Sequence, residues 1–462
     1  MLYLNRTPNS TSFKLDYDWI LLIVILFRFL SPITTELCFV ILAGYVLLGK
    51  QQIIKGLIIT WFINNINPGA GYVSVYASML KYIIICSSFF SIMLRFKFQK
   101  IDKLITYTFL FCIFLLIHSL NFSFIPMVSI LKVLVWTLLI LTLLMTWSSM
   151  SAYQYEQIQQ WILKFCKFFI LVSLFIYLFT NIGYLDSGNN FQGVLKHPQA
   201  FGVTIALFSV LILGQILFKK KLSLESAIFL LLCFILIILS KTRTAFFATI
   251  LVMIFSIPLA SLFHKRSNTK NSLLKNKRFL AVVVIMISLF GIDKITLNFV
   301  DNFINKRTYI PKNEMLMIEG DYIPGTDIVT NYINSRALLY VPSLNNINKY
   351  PLTGIGFGVG SKPEEMTIYY DPILGLPLGA PTEKGLILMM ILEELGYFGL
   401  LIFLLWVWYL IICSVKNHIT YFMIVLIIFI LNMGEALLFS PGGPGMIFII
   451  FLTLSIIKPK LK

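Results

Sequence analysis

Runs of apolar residues about as long as a bilayer is thick follow one another through almost the whole chain, and that spacing leaves few folds open. A helix needs about twenty mainly apolar residues to cross the hydrocarbon, with shorter ones tolerated inside a bundle. Candidate spans fall near 19–31, 33–48, 51–66, 73–95, 103–121, 125–147, 160–182, 199–218, 225–241, 244–263, 279–300, 386–413, 419–439 and 444–457. Because the first three are short, 12–14 transmembrane helices are expected. Composition agrees: 58% of the 462 residues are hydrophobic, 12% are charged and mean hydropathy is +0.87. A soluble fold of this length could not bury so much apolar surface. The expected fold class is all-α, a polytopic integral membrane protein with one transmembrane domain over 1–462.

The net charge of +17 has a topological cause. Lysine and arginine gather in cytoplasmic loops of membrane proteins. With the N-terminus inside, 23 of the 37 basic residues fall in inner segments, which places both termini in the cytoplasm. Nucleic acid is therefore not an expected partner; the lipid bilayer is. The first eighteen residues are polar and no small-x-small cleavage site follows "WILLIVILFRFL", so the first span is expected to be an uncleaved anchor. The six cysteines lie in or beside apolar runs and read as small buried hydrophobes, with no disulfide framework and no metal spacing.

Fourteen basic residues remain on the outer side or in the outer halves of spans. A charge inside the bilayer is costly and usually faces a polar cavity. Arg28, Lys81 and Lys132 are thus candidates to line a cavity open to the outer leaflet. One outer loop, 301–385, is too long to be a mere connection. Within it Ile333, Ala337, Tyr340, Val341 and Leu344 recur at helical spacing, which predicts an amphipathic helix over 331–348. The following "GIGFGVG" lacks the strand-to-helix setting of a dinucleotide loop and reads as a flexible hinge.

Four polar stretches share the outer face in this topology: "NNFQGVLKHPQAFG", "SKTRTAF" at 240–246, "NSRALLY" at 334–340 and "PTEKG" at 381–385. Arg243 is either an arginine reaching for lipid headgroups or a clamp whose forked donors fit phosphate oxygens in pairs, and Arg336 divides the same way. His197 is either a structural histidine at a helix start or a base or donor to an anion. Pro198 suits the first helical position, leaving free amides that favour phosphate, with Lys196 adding charge and Gln199 beside it. Glu383 is the best candidate acid, or else the ion-pair partner of Lys384. Glu393 and Glu394 follow about three turns later within an apolar run, and Glu435 lies near another outer end. Such carboxylates are functional candidates, although in a transporter they would mean proton coupling.

In this order, "GVLKHPQAFG", "SKTRTA", "NSR" before "YPLTGIGFG", and "APTEKG" before "LEELGYFGLL" resemble the O-antigen ligase and polymerase superfamily over roughly residues 185–440. The resemblance implies a GT-C-type glycosyltransferase of the bacterial inner membrane, acting on the outer side with no metal and no cofactor. It implies that Arg243 and Arg336 hold the diphosphate of an undecaprenyl-diphosphate-linked donor, with Lys196, His197, Lys241 and Lys384 near the same pocket. The ligases and many polymerases of this superfamily carry a histidine-asparagine pair where this chain reads Glu383-Lys384-Gly385, which looks like the exopolysaccharide-polymerase branch and gives Glu383 the role of base or acceptor-orienting group. The implied reaction is inverting. An acceptor hydroxyl attacks the anomeric carbon, the bond to the diphosphate breaks, and undecaprenyl diphosphate leaves. A flippase and a chain-length regulator of the same pathway are implied partners. A ligase to another acceptor and a lipid-linked oligosaccharide flippase are the alternatives. The latter would more often show two matching halves, which this chain does not.

Overall fold

A computed structural model of the chain describes residues 17–72, 76–96, 102–184, 190–218, 224–266, 340–370, 375, 377–379 and 384–457. Those up to residue 266 form ten helices, α1 (Asp18–Phe27), α2 (Pro32–Tyr45), α3 (Lys50–Asn64), α4 (Ala77–Met93), α5 (Lys103–Phe122), α6 (Pro126–Ser149), α7 (Ala152–Phe179), α8 (Pro198–Phe218), α9 (Leu224–Ser240) and α10 (Arg243–Arg266). After the undescribed stretch come α11, described over 340–349, then α12 (Ile387–Asn417), α13 (Ile419–Asn432) and α14 (Gly445–Ile456). A two-residue strand, Tyr369–Tyr370, pairs antiparallel with Pro377–Gly379 and is a minor exception to an all-helical fold.

Five helices, α5, α6, α7, α8 and α12, are long and apolar enough to cross a membrane. Helices α1, α2, α9, α13 and α14 are apolar but only 10–17 residues long. At 1.5 Å per residue they rise about 15–26 Å, short of the roughly 30 Å hydrocarbon, so protein must cover what they do not span. The expected span 279–300 and residues 331–339 of the expected amphipathic helix lie outside the described residues.

Helix starts follow local chemistry. Ser31 and Thr34 form a reciprocal capping box ahead of Pro32 in α2, and Ser151 and Gln154 do the same in α7. The latter cap explains why α7 begins well before the expected 160: a polar but helix-competent stretch joins the apolar run. Helix α13 ends at Asn432 rather than the expected 439. The Asn432 Oδ1 accepts from the backbone amides of Leu437 and Leu438, both at 2.8 Å, and turns the chain back.

Helix α8 is apolar all round and buried along nearly its whole length, which makes it the central post. Helices α9, α10 and α13 pack around it. A second aromatic core joins α5, α6 and α12: Phe111 stacks on Trp406 at 4.9 Å, and Trp136 lies 5.0 Å from Phe439. Four cysteines are buried as expected, whereas Cys86 is exposed.

Helix α12 is broken at Gly396, whose φ of 68° is left-handed. The break releases backbone groups, and residues 350–361 cross over it as a strap that takes them. Tyr397 N donates to Pro351 O at 2.8 Å, while Ile355 N and Gly356 N donate to the carbonyls of Glu393 and Glu394, each at 3.0 Å. A Cβ on Gly396 would collide with the Leu352 carbonyl. Strain of this kind costs about 1–3 kcal/mol. Gly396→Ala should therefore lower stability by about 2 kcal/mol in detergent, read as a reduced melting temperature with retained helical circular dichroism.

The strap corrects the expected hinge. Ile355, Phe357 and Val359 are fully buried. Gly354, Gly356 and Gly358 have positive φ and touch, respectively, the Glu394 backbone, Ser123 and Lys132. The glycines allow close approach, not motion.

Candidate functional site

The loops following α3, α5, α7, α9 and α13 meet at one end of the bundle. Ile66 bridges to Leu195, and Asn67 donates to the carbonyls of Ile182 and Gly193. Phe191 N donates to Leu239 O, and Asn64 Nδ2 to Gly442 O at 2.7 Å. Phe124 N donates to Ile355 O, and the His118 ring bonds the Thr353 carbonyl at 2.6 Å, which fastens the strap there.

At this end two of the polar stretches touch. Gly202, in the first turns of α8, packs so closely on Thr242 and Ser240 that a Cβ could not be added. The "LKHPQAFG" and "SKTRTAF" segments are thereby one structural unit. Pro198 opens α8 as expected. His197 caps it: its Nδ1 accepts from Gln199 N at 3.3 Å, and its carbonyl accepts from Phe201 N at 3.0 Å. Lys196 and His197 are exposed and Gln199 half-buried. Neighbouring protein still displaces water around the Lys196 ammonium and pushes its pKa below the usual lysine range. Lys241 occupies the turn between α9 and α10 with a φ of 52°, the one non-glycine with positive φ among the described residues. A lysine held there is strained, and such strain concentrates at functional turns. Thr242 follows, bonded to Ser240 through their hydroxyls, and Arg243 begins α10, half-buried. Gly434, on the turn after α13, packs on Thr244, which brings its neighbour Glu435, itself buried, to the same region.

A second polar group lies under the strap. The Glu393 carboxylate accepts from Ser343 Oγ at 2.9 Å, Ser361 Oγ at 3.1 Å and Asn346 Nδ2 at 2.8 Å. The Glu394 carboxylate accepts from Gly358 N at 2.6 Å. Lys384 Nζ stands 3.0 Å from Glu393 and 3.3 Å from Glu394, with all three side chains fully buried. Lys132, on α6, places its ammonium 5.1 Å from the centre of the Phe357 ring and within the field of Glu394. Two carboxylates thus face two ammonium groups. The network joins α6, α11, the strap and α12, and it has no net charge when all four are ionised.

This geometry redistributes the sequence-predicted residues. Lys384 was expected at a diphosphate, yet its charge is committed to Glu393 and Glu394. Lys132, expected to line an open cavity, is half-buried, with its ammonium beside the Phe357 ring and in the field of Glu394. Arg28 is also no cavity wall: it is buried, with Nε donating to Ile63 O and Nη1 to Thr35 Oγ1, both at 3.4 Å. Lys81 does stand at the loop end of the bundle, 3.5 Å from Gly442 O. Arg336 and Glu383 lie outside the described residues. Sequence reading missed Ser343, Asn346, Ser361 and His118. The signal for the first three was the adjacent pair of glutamates in an apolar run, which demands donors from elsewhere. Among the described residues no group of three His, Cys, Asp or Glu side chains could hold a metal ion. No protein-family model and no curated protein matches the chain.

Proposed function

We propose that this chain is a polymerase of a bacterial surface polysaccharide, a metal-independent inverting glycosyltransferase with 12–14 spans in the inner membrane and both termini in the cytoplasm. It would transfer a glycan from undecaprenyl diphosphate to the non-reducing end of a second lipid-linked repeat. The observation that carries the reading is the contact of Gly202 with Thr242. It unites the segments bearing Lys196, His197, Lys241 and Arg243 at one end of a bundle of apolar helices. Cations gathered where a helix begins suit a diphosphate, because ammonium, guanidinium and free amides all stabilise the charge left on the departing group. A diphosphate is a good leaving group, so the one proton to be moved is that of the attacking hydroxyl, which we assign to Glu383.

The transporter reading would use Glu393 and Glu394 as proton carriers. Their hydrogen bonds and ion pairs suit a fixed charge network better than a moving proton. The test is reconstitution. Purified protein in liposomes, given a single lipid-linked repeat, should yield a ladder of products on a gel. Repeat units that cross the bilayer without lengthening would sink the polymerase reading in favour of a flippase. A single transfer to a different acceptor would make the chain a ligase.

A further inference from the structure

The lysines inside the bundle divide unequally. Lys55 pairs with Asp18, Lys167 with Glu225, and Lys384 with Glu393 and Glu394, while Lys132 lies in the field of Glu394. Lys81 on α4 has no acid among the described residues. Its ammonium has three donors to place. It meets one carbonyl, that of Gly442, at 3.5 Å, and the Tyr82 ring at 5.0 Å. The carbonyl is already engaged at 2.7 Å by Asn64 Nδ2, so it is a weak acceptor for the lysine.

The fold brings near it a second lysine that has no ion pair among the described residues. Lys196 N is held by Asn65 O at 2.9 Å, next to the Asn64 that grips Gly442. Lys196 lies near enough for its charge to act on Lys81. Its own side chain makes no ion pair among the described residues, and it is exposed where Lys81 is half-buried. The Gly442 turn packs on Lys81: a Cβ at position 442 would stand 2.6 Å from the Lys81 Nζ and displace the ammonium. Two like charges near each other repel, and an anion bound between them would offset that repulsion. The arrangement is open to water at Lys196 and shielded at Lys81, which suits an anion with one exposed and one buried end.

We infer that Lys81, Lys196 and the Gly442–Gly443 turn form a diphosphate-binding subsite, with Lys81 taking the more deeply placed phosphate. The assignment of the diphosphate to a lipid rests on the proposed function; the anion site itself does not. Binding can be measured in detergent by calorimetry with two probes, inorganic pyrophosphate and farnesyl diphosphate. Lys81→Met and Lys196→Gln should each weaken both probes at least tenfold, and Lys81→Arg should retain most of the affinity. Melting temperature checks that each variant is folded. A lipid ligand predicts that farnesyl diphosphate binds much tighter than pyrophosphate, whereas equal affinities would reassign the site to a soluble diphosphate. Unchanged affinity in folded Lys81→Met, no binding to the wild type, or equal competition by phosphatidylglycerol in nanodiscs would each overturn the subsite. A wild type that binds the probes yet makes no ladder would sink the polymerase reading alone.

Discussion

Lys384→Met should cost about 3–5 kcal/mol of stability, the range seen when one partner of a buried ion pair is removed. The lysine side chain is 2% exposed and both carboxylates that it faces are fully buried. Its loss leaves Glu393 and Glu394 with Lys132 as the remaining cation in that network. Glu393 keeps three hydrogen-bond donors, but neutral donors do not cancel a charge in a medium where bare carboxylates are expensive. The surroundings share the damage, since the same network holds the strap on α12. Thermal unfolding in detergent should show a large fall in melting temperature. Adding Glu393→Gln to Lys384→Met should recover part of it, because the unbalanced charge is then gone. A single variant as stable as the wild type would mean that the cluster is hydrated and its charges are not balanced by Lys384.

The sequence carries no local sign of that charge network. Periodicity and length found the helices: α5, α6, α8, α9 and α14 lie within a residue or two of their expected bounds. Membrane helices must satisfy their own backbone, so an apolar run carries its structure in itself. Boundaries failed where a side chain intervened, as Asn432 does at the end of α13 and Ser151 at the start of α7. Pairings between distant residues were not legible. Lys132 and Lys384 were each noticed as outer cations, but nothing local tells that both turn toward Glu394. The meaning of "GIGFGVG" was likewise hidden, because close approach and flexibility demand the same residue. The partners of these glycines lie just after α5, on α6 and on α12. The junction of "LKHPQAFG" with "SKTRTAF" was anticipated only as a shared side of the membrane; the structure makes it a contact.

On the proposed polymerase function, Arg243→Ala should leave a folded protein whose chain-elongation rate falls about 10²–10³-fold, the loss found when one donor to a developing negative charge is deleted. Arg243 is the first residue of α10 and half-buried, so its removal opens no large core cavity. The helix start does not depend on it either, since Thr242 O accepts from Phe246 N and the Ser240–Thr242 contact fixes the turn. The melting temperature should therefore shift little. Arg243→Lys should be intermediate, because an ammonium keeps the charge but cannot present two parallel donors to one phosphate. The measurement is product length against time in proteoliposomes supplied with a lipid-linked repeat. Long polymer made at the wild-type rate by Arg243→Ala would remove the arginine from the leaving-group site and leave Lys196 and Lys81 as the cations that must account for it. The order of effects is itself diagnostic. If Lys81→Met slows elongation while Arg243→Ala does not, the departing diphosphate sits beside α4 and the Gly442 turn rather than at the start of α10.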